Sequence, residues 1–111
     1  MIEKTVLDYL ESELTVPVYM ERPEDPPEQY VLIEKTGSGK RNHICDATLA
    51  IQSYAPSLYE AAVLNETVKA AMEAAVSLSD ICRVSLNSDY NFTDAATKQY
   101  RYQAVFDITH Y

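Results

Sequence analysis

Two segments of the sequence carry apolar residues at helical spacing. The first spans residues 2–14, where the apolar residues recur at every fourth position and are Ile2, Val6, Leu10 and Leu14. The second begins after Pro56, and its apolar stripe consists of Ala61, Leu64, Val68, Ala71, Met72 and Ala75. Ser57 and Glu60 form a capping-box pattern at its start. The spacing predicts two amphipathic helices, the second ending near Val76.

Alternation with a period of two predicts strands in most of the remaining chain. A short β-prone run with a proline, residues 16–20, predicts an edge strand. Longer strands are predicted at residues 30–36, 43–54, 81–88 and 99–109. The polar segment 37–42 contains both glycines, which predicts a hairpin turn between the first two long strands. The acidic, proline-rich segment 21–28 predicts an exposed loop.

Alternate strand positions predict which side chains face the helices. The predicted inward residues are Cys45, Ala47, Leu49, Ile51, Cys82, Val84, Leu86, Tyr102, Ala104, Phe106 and Ile108. The order of elements is helix, short strand, long hairpin, helix and two strands. It predicts a single α+β domain over residues 1–111, with an antiparallel sheet and two helices packed on one face of that sheet.

The other face of the predicted sheet has no cover within the chain. It mixes charges with apolar residues, namely Ile44, Ala50, Tyr54 and Val105. A half-apolar face of this kind is typical of a subunit interface. We therefore predict contact between copies of the chain through this face and the hairpin tip. The predicted contact residues are Gly37, Ser38, Gly39, Lys40, Arg41, Asn42, Ile44, Tyr54 and Val105.

Composition narrows the possible partners. The chain carries 17 acidic and 9 basic residues, a formal net charge of −8, which disfavours binding to nucleic-acid phosphates and to anionic membranes. No apolar run approaches the roughly 18 residues of a membrane span. The first residues lack the basic and apolar regions of a signal peptide, so we expect cytoplasmic synthesis. Cys45 and Cys82 are then expected to be reduced and buried in the core.

No residue pattern predicts catalysis, a cofactor or a metal. The segment that ends at Lys40 lacks the spacing of a phosphate-binding loop, and no Ser or Thr follows the lysine. His43 and His110 are the only histidines, whereas zinc needs three or four convergent ligands. We expect neither an enzyme nor a bound cofactor, because no nucleophile, base and orienting group can be placed together.

Two segments support a resemblance to a known family. The second helix opens with Ala-Pro-Ser-Leu-Tyr-Glu at residues 55–60, and the final strand reads Tyr-Arg-Tyr-Gln-Ala-Val-Phe-Asp-Ile at residues 100–108. Together with the order of elements, they resemble the tail-terminator, or head-to-tail joining, proteins of long-tailed bacteriophages and prophages. The resemblance covers nearly the whole chain, and the family's hairpin tip corresponds to residues 37–42.

The resemblance implies a structural role without cofactors. Subunits of this family form a ring, usually a hexamer, which caps the tail tube and then docks on the head connector. It also implies residence in the virion tail after assembly in the bacterial cytoplasm. The acidic charge suits a ring through which DNA passes without binding. Three alternatives remain open, namely another head-tail connector or minor tail subunit, a small ligand- or peptide-binding module, and, least favoured, an enzyme.

Overall fold

The computed structural model describes all of residues 1–111 and contains two α-helices and five β-strands. In chain order they are α1 (Ile2–Glu13), β1 (Val18–Tyr19), β2 (Tyr30–Arg41), β3 (Ile44–Tyr54), α2 (Leu58–Ala74), β4 (Ile81–Asn91) and β5 (Arg101–His110). A short 3-10 turn, Ala75–Ser77, follows α2. The predicted α+β class and the predicted order of elements are confirmed.

The five strands form one sheet in the order β1-β2-β3-β5-β4. The pairs β2–β3, β3–β5 and β4–β5 are antiparallel, whereas β1 is parallel to β2. The predicted antiparallel arrangement of the hairpin and the two C-terminal strands is confirmed, and the short parallel strand β1 at the edge makes the whole sheet mixed. The proline-rich residues 20–29 form a long connection rather than a tight turn, so the chain returns to the same end of the sheet before β2 begins.

Both helices pack on one face of the sheet and enclose the core. Its main buried side chains are Ile2, Val6, Leu10, Val31, Ile33, Leu49, Ile51, Leu64, Val68, Met72, Phe106 and Ile108. The predicted strand facing is thus confirmed for β3 and β5. On β4 it holds only in part, because α2 lies mainly over β3 and β5. Val84 is half-buried at the margin of the core, and Leu86 remains 48% exposed.

The β2–β3 hairpin is longer and its turn shorter than predicted. Strand β2 continues through both glycines to Arg41, after a bulge between Lys35 and Gly37. The turn consists of Asn42 and His43 alone, with φ angles of 50° and 68°. Two successive positive φ angles are those of a type I′ turn, which matches the twist of the flanking strands. The prediction of a turn over residues 37–42 was wrong because neither glycine adopts a positive φ.

The cysteines do not lie in the core. Ile81 and Arg83 pair with the consecutive residues His110 and Thr109, so Cys82 is the extra residue of a β-bulge and is exposed. The bulge places Ile81, rather than Cys82, at the buried position. Cys45 is half-buried near the start of β3. The expectation that both thiols are buried was therefore wrong.

The start of α2 is capped as the sequence predicted, with one difference. The hydroxyl of Ser57 accepts a hydrogen bond from the backbone N–H of Glu60 at 3.2 Å. The same hydroxyl donates to the Glu60 carboxylate at 2.9 Å, so the carboxylate contacts the cap side chain rather than a backbone amide. This arrangement fixes the first turn of the helix over the sheet.

Candidate subunit interface

The distal part of the β2–β3 hairpin is exposed along its whole length. Every residue from 34 to 44, here called the hairpin ribbon, is exposed, and the strands stay paired up to Arg41 opposite Ile44. Strand β1 pairs only with Val31 and Leu32, so the outer edge of β2 beyond these residues has no strand partner. The ribbon is thus an ordered segment with a free backbone edge.

The hairpin ribbon is basic, and its cations lie on both sides of the sheet. Lys35 and Lys40 are opposite Leu49 and Cys45, on the side of the helices. Lys35 reaches back to α1, where its Nζ lies 3.6 Å from Oε2 of Glu3. Arg41 is opposite Ile44 and lies on the other side. These cations stand out on a chain whose formal net charge is −8.

On the sheet face away from the helices, a polar network covers the end that lies far from the hairpin turn. The Tyr54 hydroxyl donates to Oε1 of Gln52 at 2.9 Å, and Nε2 of Gln52 donates to Oε1 of Gln103 at 2.8 Å. Nε2 of Gln103 in turn donates to the Tyr90 hydroxyl at 2.6 Å. As a result Tyr54 is only 6% exposed. Side chains of neighbouring strands thus cover this predicted contact residue.

Aromatic and cationic side chains extend this network. The rings of Tyr30 and Tyr54 are stacked 4.4 Å apart, and Tyr19 meets Tyr30 edge-on at 6.0 Å. Arg101 lies over the Phe92 ring at 4.6 Å and donates to the Tyr54 hydroxyl at 3.0 Å. Burial, followed by the neighbouring Tyr54, raises the pKa of Tyr30 above its ordinary value. The missed signal in the sequence is the repetition of Tyr and Gln at outward strand positions.

The half of this face that adjoins the hairpin turn is polar and acidic. Thr48 donates to Oδ1 of Asp107 at 3.0 Å, and Thr109 donates to Oδ1 of Asp46 at 3.1 Å. Val105, a predicted contact residue, is half-buried between these acids and the network. The predicted face is therefore divided, and only the half next to the hairpin turn is accessible together with the ribbon.

A groove runs between α2 and β4 on the helical side of the sheet. This α2–β4 groove has a volume of about 550 Å³ and is lined by Glu66, Lys69, Ala70, Glu73, Val84, Ser85, Leu86 and Phe106. Strand β4 is the last of the sheet, so its outer edge has no partner. The sequence predicted Leu86 as an inward residue. The sequence pattern gives no sign that α2 leaves this part of β4 uncovered.

The groove carries acidic charge that its own lysine does not fully neutralise. Lys69 forms ion pairs with Asp89 and, at 2.9 Å, with Glu66. The hydrogen bonds to Asp89 and then to Glu66 raise the pKa of Lys69. Glu73 forms no ion pair within the chain. The groove therefore combines an exposed leucine with an unpaired carboxylate.

Both histidines lie at the same end of the sheet, because His110 pairs with Cys45, two residues after His43. His43 is exposed in the hairpin turn, and Nδ1 of His110 lies 3.0 Å from the carbonyl oxygen of Tyr111. No three His, Cys, Asp or Glu side chains converge in a way that would hold a metal ion. Neither helix combines the length and the apolar character needed to cross a membrane.

Comparison of the sequence with protein-family models and with curated proteins gives no match to either. The resemblance to phage tail-terminator proteins therefore stays a prediction from the sequence.

Proposed function

We propose that the chain is a structural subunit of the tail-terminator, or head-to-tail joining, class. In this role it joins a ring that caps a phage tail tube and provides the docking surface for the head. The observation that carries the proposal is the hairpin ribbon, which stays paired with β3 up to Arg41 and yet is exposed at every residue from 34 to 44. Side chains that are exposed along a whole segment bury little apolar surface in their own chain, and such segments commonly serve contacts with other molecules.

The distribution of charge supports contact between copies of the chain. The hairpin ribbon presents Lys40 and Arg41, whereas the adjoining sheet face presents Asp46 and Asp107 and the α2–β4 groove presents Glu73. Basic and acidic surfaces at different places on one subunit favour head-to-tail contacts, and such contacts form closed rings when the rotation between subunits closes. No cofactor and no reaction enter this role.

Reversal of the ribbon charges tests the proposal. The double variant Lys40→Glu and Arg41→Glu should melt like the parent, because both side chains are exposed and form no ion pair in the chain. It should fail to cap tail tubes, which would then grow abnormally long. Lys98→Asp is the control, since it reverses a charge in the β4–β5 loop at a positive-φ position that Asp tolerates.

Two outcomes would count against the proposal. If the double variant caps tubes as well as the Lys98→Asp control does, the ribbon has no part in assembly. If the parent chain itself leaves tube length unchanged but binds elsewhere in the particle, another connector or a minor tail subunit is the better assignment.

A further inference from the structure

We infer that neighbouring subunits join edge to edge, with the free edge of β2 in one copy pairing with the free edge of β4 in the next. The occupant of the β4 edge and of the α2–β4 groove is thus the hairpin ribbon of a second copy of this chain. The inference rests on the proposed function for the existence of a ring, and it adds the surfaces that form the ring.

Strand direction permits this pairing between copies in the same orientation. The contacts β2–β3, β3–β5 and β5–β4 are all antiparallel, so β4 runs opposite to β2 within one sheet. A neighbour in the same orientation therefore presents its β4 antiparallel to β2. The two edges differ from each other, so the contact is head-to-tail and can repeat around a ring.

The strand register places the two free edges at the same level of the sheet. Across the sheet, one row of paired residues is Lys40, Cys45, His110 and Ile81, and another is Lys35, Leu49, Phe106 and Leu86. The free part of β2 thus lies level with residues 81–86 of β4. At the start of β2, strand β1 already occupies the edge beside Val31 and Leu32. Pairing with a neighbouring copy is therefore limited to the ribbon half of β2.

Charge and apolar surface are complementary at this junction. Lys35 and Lys40 lie on the helical side of β2, the side on which the neighbour's groove presents Glu73, Glu66 and the exposed Leu86. Lysine stems cover apolar surface while their ammonium groups reach carboxylates. The neighbour's Lys69 is already held by its own two acids.

On the face away from the helices, the charges at the junction are less complementary, but they still allow the strands to pair. Arg41 and the neighbour's Arg83 both lie on the face away from the helices, and Asp46, opposite Gly39 on that same face, offsets part of their repulsion. Edge lysines and bulges also discourage indiscriminate strand pairing. The acidic groove beside β4 distinguishes this one edge from other strands.

Disulfide trapping tests the junction directly. In a Cys45→Ser, Cys82→Ser background, Ser38→Cys and Val84→Cys place thiols at one level on the two edges. A disulfide within one chain is excluded, because three strand spacings put these positions about 14 Å apart. Oxidation should produce a ladder of covalent multimers on a non-reducing gel. The matched control is Ser38→Cys with Ser12→Cys on the exposed face of α1.

A charge swap adds a second readout that does not depend on the new thiols fitting together. In the trapping variant, Glu73→Lys should lower the multimer yield about tenfold, and adding Lys40→Glu should restore it. Melting curves of each variant establish that it is folded. A folded trapping variant that gives no more multimer than the Ser12 control, with no effect of the swap, would overturn the inference.

The outcomes separate this inference from the proposed function. Capping of tubes without trapped multimers would leave the terminator role in place and exclude the β2–β4 junction. A multimer ladder from a protein that caps no tubes would support the junction and overturn the terminator role.

Discussion

The ring of Tyr30 lies flat against the ring of Tyr54, with centroids 4.4 Å apart and an interplanar angle of 6°. The two residues are directly opposite each other in β2 and β3. Through its hydroxyl, Tyr54 connects this stack to Gln52 and Arg101. The stack closes the part of the second sheet face that lies far from the hairpin turn. The hairpin ribbon and the two sheet edges are the surfaces that remain for the proposed contacts between subunits.

Removal of the Tyr54 hydroxyl should destabilise the fold. In Tyr54→Phe the stacking surface is kept, but Oε1 of Gln52 loses its donor in a buried position. We expect a loss of about 1–3 kcal/mol in the free energy of unfolding, measured by urea denaturation. Tyr59→Phe is the control, because Tyr59 is 78% exposed and its change should stay within about 0.5 kcal/mol. Equal midpoints for the two variants would show that the network contributes nothing.

Truncation in the core should have a larger effect. Phe106 is buried between the sheet and α2, so Phe106→Ala should lower the free energy of unfolding by about 3–5 kcal/mol. Leu58→Ala, at an exposed position in the first turn of α2, serves as the control in the same thermal or urea melt. A parent-like melt for the Phe106 variant would show that the strand facing is incorrect.

The hairpin turn offers a stabilising substitution. His43 has a φ of 68°, in the left-handed region that costs a non-glycine residue about 1–2 kcal/mol. His43→Gly creates the Asn-Gly pair preferred in type I′ turns, and we expect a gain of about 1 kcal/mol. His43→Val should have the opposite sign, because a branched Cβ disfavours positive φ. The melting temperature of His43→Gly should thus lie above that of the parent, and that of His43→Val below it.

Alkaline pH should weaken the contact between the helices. The Tyr9 hydroxyl donates to the carbonyl oxygen of Ala71 at 2.7 Å, and burial, then the Glu13 carboxylate, raises the pKa of Tyr9 above 10.0. The folded state then holds this proton more tightly than the unfolded state. Its contribution to stability is complete below about pH 10 and is lost as pH rises through the raised pKa.

Comparison with a variant that lacks only the Tyr9 hydroxyl measures that effect. Melting temperatures of the parent and of Tyr9→Phe should be taken across the range above and below pH 10. The parent should lose more of its melting temperature with rising pH than the variant does. Parallel curves would show that Tyr9 ionises equally in both states.

Local patterning predicts most of the elements of this fold. The four-residue spacing of Ile2, Val6 and Leu10 and the cap at Ser57 locate the helices within a few residues of their ends. Strict alternation in β5 assigns Phe106 and Ile108 to the core. These features depend on nearby residues only, and for that reason they can be predicted from the sequence.

The errors arise where distant residues decide the outcome. Pairing with β3 keeps Gly37 and Gly39 in a strand despite their turn propensity. A bulge, which has no local signature, moves Cys82 out of the core and Ile81 into it. The burial of Tyr54 depends on residues of four different strands. At the candidate interface the hairpin residues are exposed, whereas Tyr54 is buried.

In the proposed role, the chain ends tail-tube growth as a structural subunit. The most direct measurement is electron microscopy of tubes assembled from the tail-tube protein encoded in the same genome, with and without this chain. We expect tubes of limited length that carry an added ring at one end only when the chain is present. Tubes of the same length distribution and with bare ends in both samples would contradict it.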